Sequence, residues 1–350
     1  MHLLNKTNGN KKTYLNQNDV CMKMRLILIL FVFLTFQGYS QKVEFISCSA
    51  NSSDSSFYDI KKTGTNNYWA CGKFGILYEL NDKGELSKIN YPNKGKHLLK
   101  LDKFDDDNMI VCGEGGFVYN YCKSKNDWNV MKVKGYDKST FYNIAVIDNN
   151  TAYICGGKSK ITLGKRTVPL GFILKTADRG NTWTEVYSSA FSMIWDMDIN
   201  NNQLCALSYN PFIGTKIIAK SANEKWQKKS IAYSGLYHEM FFNEGNSYFV
   251  GSYNANFQSN GMIFSSEGAN SLKTKEDGLF WDIDANANYI VSTACKGIIY
   301  VNKKSESKWQ RIDTKQAYNL YEIAFIDDNS FFVIGSNKLI LKVNLEQGIN

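Results

Sequence analysis

Seven times along this chain a short β-prone run recurs with one internal pattern, and no other feature restricts the fold as much. The runs begin Phe57-Tyr58-Asp59-Ile60, Leu98-Leu99-Lys100-Leu101, Phe141-Tyr142-Asn143-Ile144, Ile194-Trp195-Asp196-Met197, Tyr237-His238-Glu239-Met240, Phe280-Trp281-Asp282-Ile283 and Leu320-Tyr321-Glu322-Ile323. Successive runs start 41, 43, 53, 43, 43 and 40 residues apart. A period of about 40–45 residues made only of short strands marks propeller blades, four-stranded sheets that cannot bury both faces alone.

Each unit carries the same parts. An anchor strand is followed by a turn rich in Asn and Asp, such as Asp106-Asp107-Asn108, and by a second strand ending in small residues, as at Cys71-Gly72, Cys112-Gly113 and Cys155-Gly156. A third strand follows, and a fourth carries Trp128, Trp183, Trp226 or Trp309. The seventh unit has 28 residues after Glu322, enough for three strands, while residues 42–47 form a strand with no unit of its own. The expectation is an all-β, seven-bladed β-propeller of four-stranded blades, its last blade closed by the N-terminal strand, with residues 41–350 as one domain. Composition agrees: 43% of residues are apolar, 14% aromatic and three are proline, which excludes collagen, coiled coil and disorder.

Residues 1–40 read as an N-terminal extension and secretory signal. Met22-Lys23-Met24-Arg25 is a basic start, Leu26 to Leu34 an apolar core, and Gly38 and Ser40 the small residues of a cleavage site before Gln41. The apolar run is well short of the ~20 residues a bilayer span needs, so no transmembrane anchor is expected after cleavage. An exported chain is therefore expected, periplasmic, outer-surface or extracellular. Five basic residues and one acid lie in this segment, so the formal +8 falls by 5 − 1 = 4 to +4 in the mature chain. That is no nucleic-acid footprint. No CxxC or Cys/His cluster points to a metal, no cofactor is implied, and Cys71, Cys112 and Cys155 read as small buried hydrophobes at one repeat position.

The binding-site expectation comes from uneven insertions. Unit three carries about ten extra residues over 158–169, including Lys158, Lys160, Lys165 and Arg166; units four and five carry Phe212 and Phe257 at the same place. These loops share the face where the innermost strands begin, so Tyr58, Tyr142, Trp195, His238, Trp281 and Tyr321 are expected to form an aromatic rim at the channel mouth.

Thr176-Ala177-Asp178-Arg179-Gly180-Asn181-Thr182-Trp183 matches the Asp-box (BNR) signature S/T-x-D-x-G-x-T-W. With its repeat pattern the chain resembles the sialidase-type and photosystem II stability/assembly factor-like propellers. The resemblance implies a structural role for Thr176, Asp178, Gly180, Thr182 and Trp183, at a turn away from the ligand face. A sialidase needs several arginines converging on a substrate carboxylate. Here Arg179 lies in the box, Arg166 in a loop and Arg311 in an outer strand, which disfavours it. The arginine-rich patch of the assembly-factor family is likewise not evident.

The function expected is a non-catalytic binding or assembly module for an envelope or extracellular protein, peptide or glycan, acting as a monomer. The alternative is a divergent carbohydrate-active hydrolase with paired carboxylates among Asp59, Asp196, Glu239, Asp282 and Glu322. Their recurrence in unit after unit favours a structural use, accepting backbone amides between blades.

Overall fold

The computed structural model describes residues 41–47, 55–163, 166–200, 203–220, 225–231, 235–253, 260–268, 270–306 and 308–345, with backbone alone for 159–163 and 166–167. Cα packing separates a unit spanning Lys42–Asn344 from a remainder, Met1–Gln41 with Leu345–Asn350, of which only Gln41 and Leu345 are described. The signal segment thus lies outside the described residues.

The larger unit is a seven-bladed β-propeller of four-stranded antiparallel blades. Its innermost strands are Phe57–Lys62, Leu98–Lys103, Ser139–Val146, Met193–Asn200, Leu236–Asn243, Phe280–Ala285 and Leu320–Phe325. In the last blade the order runs from Gln41–Ser47 through Ile340–Leu345 and Ser330–Gly335 to Leu320–Phe325, so the N-terminal strand closes the ring as expected. Among the described residues no helix is long and apolar enough to cross a membrane.

The core lies between blades. Ile60, Leu101, Ile144, Met197, Met240, Ile283 and Ile323, one from each innermost strand, are all at most 4% exposed. Alternation then turns the residues on either side of them toward the central channel. The second strands are buried nearly throughout, which explains their unbroken apolar runs. The outer strands are half exposed, and their tryptophans stitch neighbouring blades: Trp226 Nε1 donates to Val186 O at 2.9 Å and Trp309 Nε1 to Asn270 O at 2.8 Å. Cys71, Cys112 and Cys155 are fully buried free thiols, pushed well up by desolvation and so unreactive.

The turn from Thr176 to Trp183 is a self-contained hydrogen-bonded loop. Thr176 Oγ1 donates to Asp178 Oδ1 at 2.7 Å and accepts from Gly180 N at 2.9 Å; Asp178 accepts from Thr182 N at 2.8 Å and Thr182 Oγ1 at 2.6 Å. Gly180 has φ 81°, where a Cβ would be strained, and Trp183 packs against the buried cluster shared by blades two and three. Desolvation opposes ionisation of Asp178, but the bonds from Thr182 and Thr176 outweigh it and hold the carboxyl below its ordinary value. Asp178→Ala should lower stability by about 1–2 kcal/mol, the scale of a lost side-chain cap. Denaturant titration checks this, and an unchanged midpoint would deny the turn its structural role.

Candidate functional site

One backbone irregularity builds the channel mouth. In all seven blades the register between innermost and second strand slips at the same place, between Phe57 and Asp59, Leu98 and Lys100, Phe141 and Asn143, Ile194 and Asp196, Tyr237 and Glu239, Phe280 and Asp282, and Leu320 and Glu322. The residues left without a partner are Tyr58, Leu99, Tyr142, Trp195, His238, Trp281 and Tyr321, six of them aromatic or imidazole. A bulge of this kind re-aims a side chain and strengthens local twist. It also brings the carbonyl before the strand hard against the second strand. Lys73 N donates to Ser56 O at 2.9 Å, and a Cβ on Gly72 would strike that same oxygen. The same approach faces Gly113, Gly156, Gly251 and Gly335, which explains the small residue that ends the second strand.

Of the six rim residues, four form a continuous chain of ring contacts. Tyr58 meets Tyr321 with centroids 5.9 Å apart, Tyr321 meets Trp281 at 4.9 Å, and Trp281 meets His238 at 5.3 Å. Trp195 instead stacks on Tyr209 of its own blade at 4.2 Å, and Tyr142 donates to Met193 Sδ at 3.6 Å. His238 Nε2 bonds Phe280 O at 2.7 Å; burial depresses the imidazole to about 4, so it is neutral at ordinary pH.

The insertion over 158–169 is not a loop. The second and third strands of blade three run on as a β-hairpin, Ala152–Leu163 against Arg166–Thr176, pairing Ile161 with Val168 and Leu163 with Arg166. Arg166, expected in a loop, therefore belongs to a strand, because the two strands keep pairing outward beyond a register shift between Lys158 and Ile161. Lys158 Nζ sits 4.0 Å over the Tyr136 ring. The side chains of Lys160 and Arg166, and all of Lys165 and Phe257, lie outside the described residues. Phe212 is 81% exposed and Ile213 63%.

Below the rim a second layer faces the axis, comprising Asp59, Lys100, Asn143, Asp196, Glu239, Asp282 and Glu322, one per blade. Three of its carboxylates clamp adjoining blades: Leu101 N donates to Asp59 Oδ2 at 2.6 Å, Met240 N to Asp196 Oδ2 at 2.7 Å, and Ile323 N to Asp282 Oδ2 at 2.7 Å. Asn143 Nδ2 also donates to Asp196. The ring's one cation, Lys100, lies 3.2 Å from Asp59 and 2.6 Å from Glu322. Burial pulls its ammonium down, but Asp59 and Glu322 more than offset this and keep it charged. Burial raises Asp196 to about 6 and Asp282 to about 7, and lifts Glu239 and Glu322 well above the usual carboxylate range. A third layer adds Asp102, Asp198 and Asp284, the first two again accepting amides of the next blade, Val146 N and Phe242 N, both at 3.0 Å.

The third layer, with Lys100, Asn143, Glu239, Asp282 and Glu322 of the second, walls a cavity of about 500 Å³, open where the first strands turn into the second. The sequence names its acids and sets the paired carboxylates of the hydrolase alternative at the propeller centre, but their depth along the channel depends on strand tilt and the shared bulge. Among the described residues no three His, Cys, Asp or Glu side chains converge as a metal site requires.

No protein-family model matches the chain. No curated protein matches it either. Solved structures do. YCF48 bound to D1 peptide superposes with TM-score 0.65 at 15% identity, covering 89% of this chain and 98% of that one. Virginiamycin B lyase from Staphylococcus aureus gives 0.61 at 13%, covering 87% and 100%. The WD40 propeller domain of Doa1 gives 0.62 at 10%, covering 88% and 98%, and at such identities these likenesses show the propeller fold alone.

Proposed function

We propose that this chain is an exported binding propeller that holds a protein or peptide segment on the face where its innermost strands begin. The observation that carries this is the concentration of exposed apolar side chains there. Phe74 joins the second and third strands of blade one, Phe212 and Ile213 those of blade four, and Phe191 links blade three to blade four. Four of the six exposed large hydrophobics among the described residues thus edge the mouth that holds the linked rings of Tyr58, Tyr321, Trp281 and His238. Isolated exposed apolar residues need no explanation, but a cluster beside amphipathic rings suits a polypeptide partner. That YCF48, of the same fold, was solved with a peptide supports the reading.

The hydrolase alternative gains little, since Asp59, Asp196 and Asp282 each spend an oxygen on a backbone amide. The Asp-box resemblance places the Thr176–Trp183 turn, between third and fourth strands, at the end opposite the proposed face.

The test begins with chain recovered from outside the cytoplasm, whose first residue should lie near Gln41. It is used to select ligands from exported proteins and a peptide library. Trp195→Ala, Phe212→Ser with Ile213→Ser, and replacement of residues 158–169 by a Gly-Ser turn should each weaken the selected ligand, by about 30-fold where a hot spot is removed. Their far-UV spectra should stay unchanged. Undiminished affinity in all three variants would remove the site from this face.

A further inference from the structure

The second layer is lopsided in charge. Lys100 neutralises the side formed by blades seven, one and two through its contacts with Glu322 and Asp59. Across the axis, blades four, five and six present Asp196, Glu239 and Asp282, with Asp198 and Asp284 one layer below. None of these five carboxyls makes an ion pair among the described residues.

Glu239 stands apart even within that group. By the pattern of the ring its carboxylate should clamp the amide of Ile283 in the next blade, but Asp282 Oδ1 accepts that amide itself, at 2.7 Å. Among the described residues the Glu239 carboxyl, set deep in the channel, consequently has no hydrogen-bond or ion-pair partner. It lines the cavity, and what exposure it keeps is to that cavity. A carboxyl set deep without a partner is costly, and one that lines a cavity of about 500 Å³ together with Asp198, Asp282 and Asp284 has the form of a cation site.

We propose that this axial pocket binds an organic cation, a primary ammonium or guanidinium group held between Glu239, Asp282 and Asp284 with its carbon chain against Met197 and Phe241. A bare divalent ion fits less well, because the acids do not converge as metal ligands and the space is far larger than an ion. An alkyl stem suits the apolar stretches of the same wall, as the stems of Lys and Arg do elsewhere. Raised carboxyls agree: they hold protons that a cation would displace, so binding should tighten as pH rises. The charged groups facing it from other blades are Lys61, Lys62, Lys100, Asp102 and Glu322, and Lys61 and Lys100 stay charged throughout.

Calorimetric titration of the whole chain with spermidine, L-argininamide and a short blocked lysine peptide, at about pH 8 and about pH 5, tests this. Binding of at least one probe is expected, weaker at the lower pH. The free amine and the peptide separate a small-molecule source from a basic side chain of a protein. Glu239→Gln and Asp284→Asn, neither of which breaks an inter-blade amide bond, should each weaken binding by about tenfold or more, as loss of one charge from a buried pair does. Phe45→Ser, on the outermost strand of the last blade, should leave it unchanged. The proposal is overturned if no probe binds at about 1 mM. It is equally overturned if both charge-removing variants bind as the parent does, or if calcium binds with the same dependence on Glu239 and outcompetes every organic probe.

Discussion

Removing residues 42–47 should cost the propeller several kcal/mol and roughly 10 °C of melting temperature, more than any single substitution outside the channel. The strand Gln41–Ser47 buries little: its alternating exposure leaves Phe45 more than half exposed, and Ile46 alone packs into the core shared by blades seven and one. Its weight lies in pairing with Ile340–Leu345, a strand otherwise left as an open edge with Ile340, Leu341, Val343 and Leu345 beneath it. Each lost ladder bond contributes about 0.5–1.5 kcal/mol, set against the entropy regained by six residues. A second effect follows from the open edge, which templates pairing with another chain. Calorimetry with light scattering measures both. A truncated chain that melts within a degree or two of the parent and stays monodisperse would mean the closing strand holds nothing together.

Lys100→Met should destabilise the protein by about 3–5 kcal/mol near pH 8, because it strips the ring of its cation and leaves buried carboxylates facing one another. The same ring sets an unusual pH dependence for the parent. Asp282 near 7, and Asp196 and Asp284 near 6, bind protons more tightly folded than unfolded. Their contribution is complete below the unfolded value of about 4 and is lost as pH rises through 6 to 7, so stability should grow as pH falls from about 8 to about 5. His238 opposes this. Depressed to about 4, it loses stability as pH drops below its unfolded 6.5. One imidazole is outweighed by several carboxyls, each raised unit amounting to about 1.4 kcal/mol. Lys100→Met should steepen the slope and Glu239→Gln flatten it. Melts at the two pH values decide the matter, and a parent more stable at pH 8 than at pH 5 would sink this account of the ring.

The blade count, the closing strand and the clamps at Asp59, Asp196 and Asp282 were legible because each repeats. Periodicity turns weak local signals into one strong one, and a residue type recurring at a single phase reports a shared environment. What escaped was whatever depends on depth or on a single blade. Lys100 breaks the acidic pattern once, and nothing in its neighbourhood says that it reaches both Asp59 and Glu322. The hairpin over 158–169 reads as a loop in the sequence because the insertion falls between two strands, whereas Ile161 pairs with Val168 and Leu163 with Arg166. Trp195 shares the phase of the rim in the sequence, but Tyr209 supplies a nearer face in its own blade.

The slipped register has a consequence for how such a mouth can diversify. A residue skipped by the ladder carries no obligation to a cross-strand neighbour, so Tyr58, Leu99, Tyr142, Trp195, His238, Trp281 and Tyr321 are interchangeable at little cost to sheet pairing. The constraint sits instead on the small residue opposite, a glycine in five blades, where a carbonyl leaves no room for a side chain, and Ser208 or Ala294 in the other two. Variation and rigidity are thereby assigned to different atoms of the same bulge. Seven sockets around one axis can each be refitted while the wheel that carries them keeps turning true, and a chain with this backbone can change what it grips without relearning how to fold.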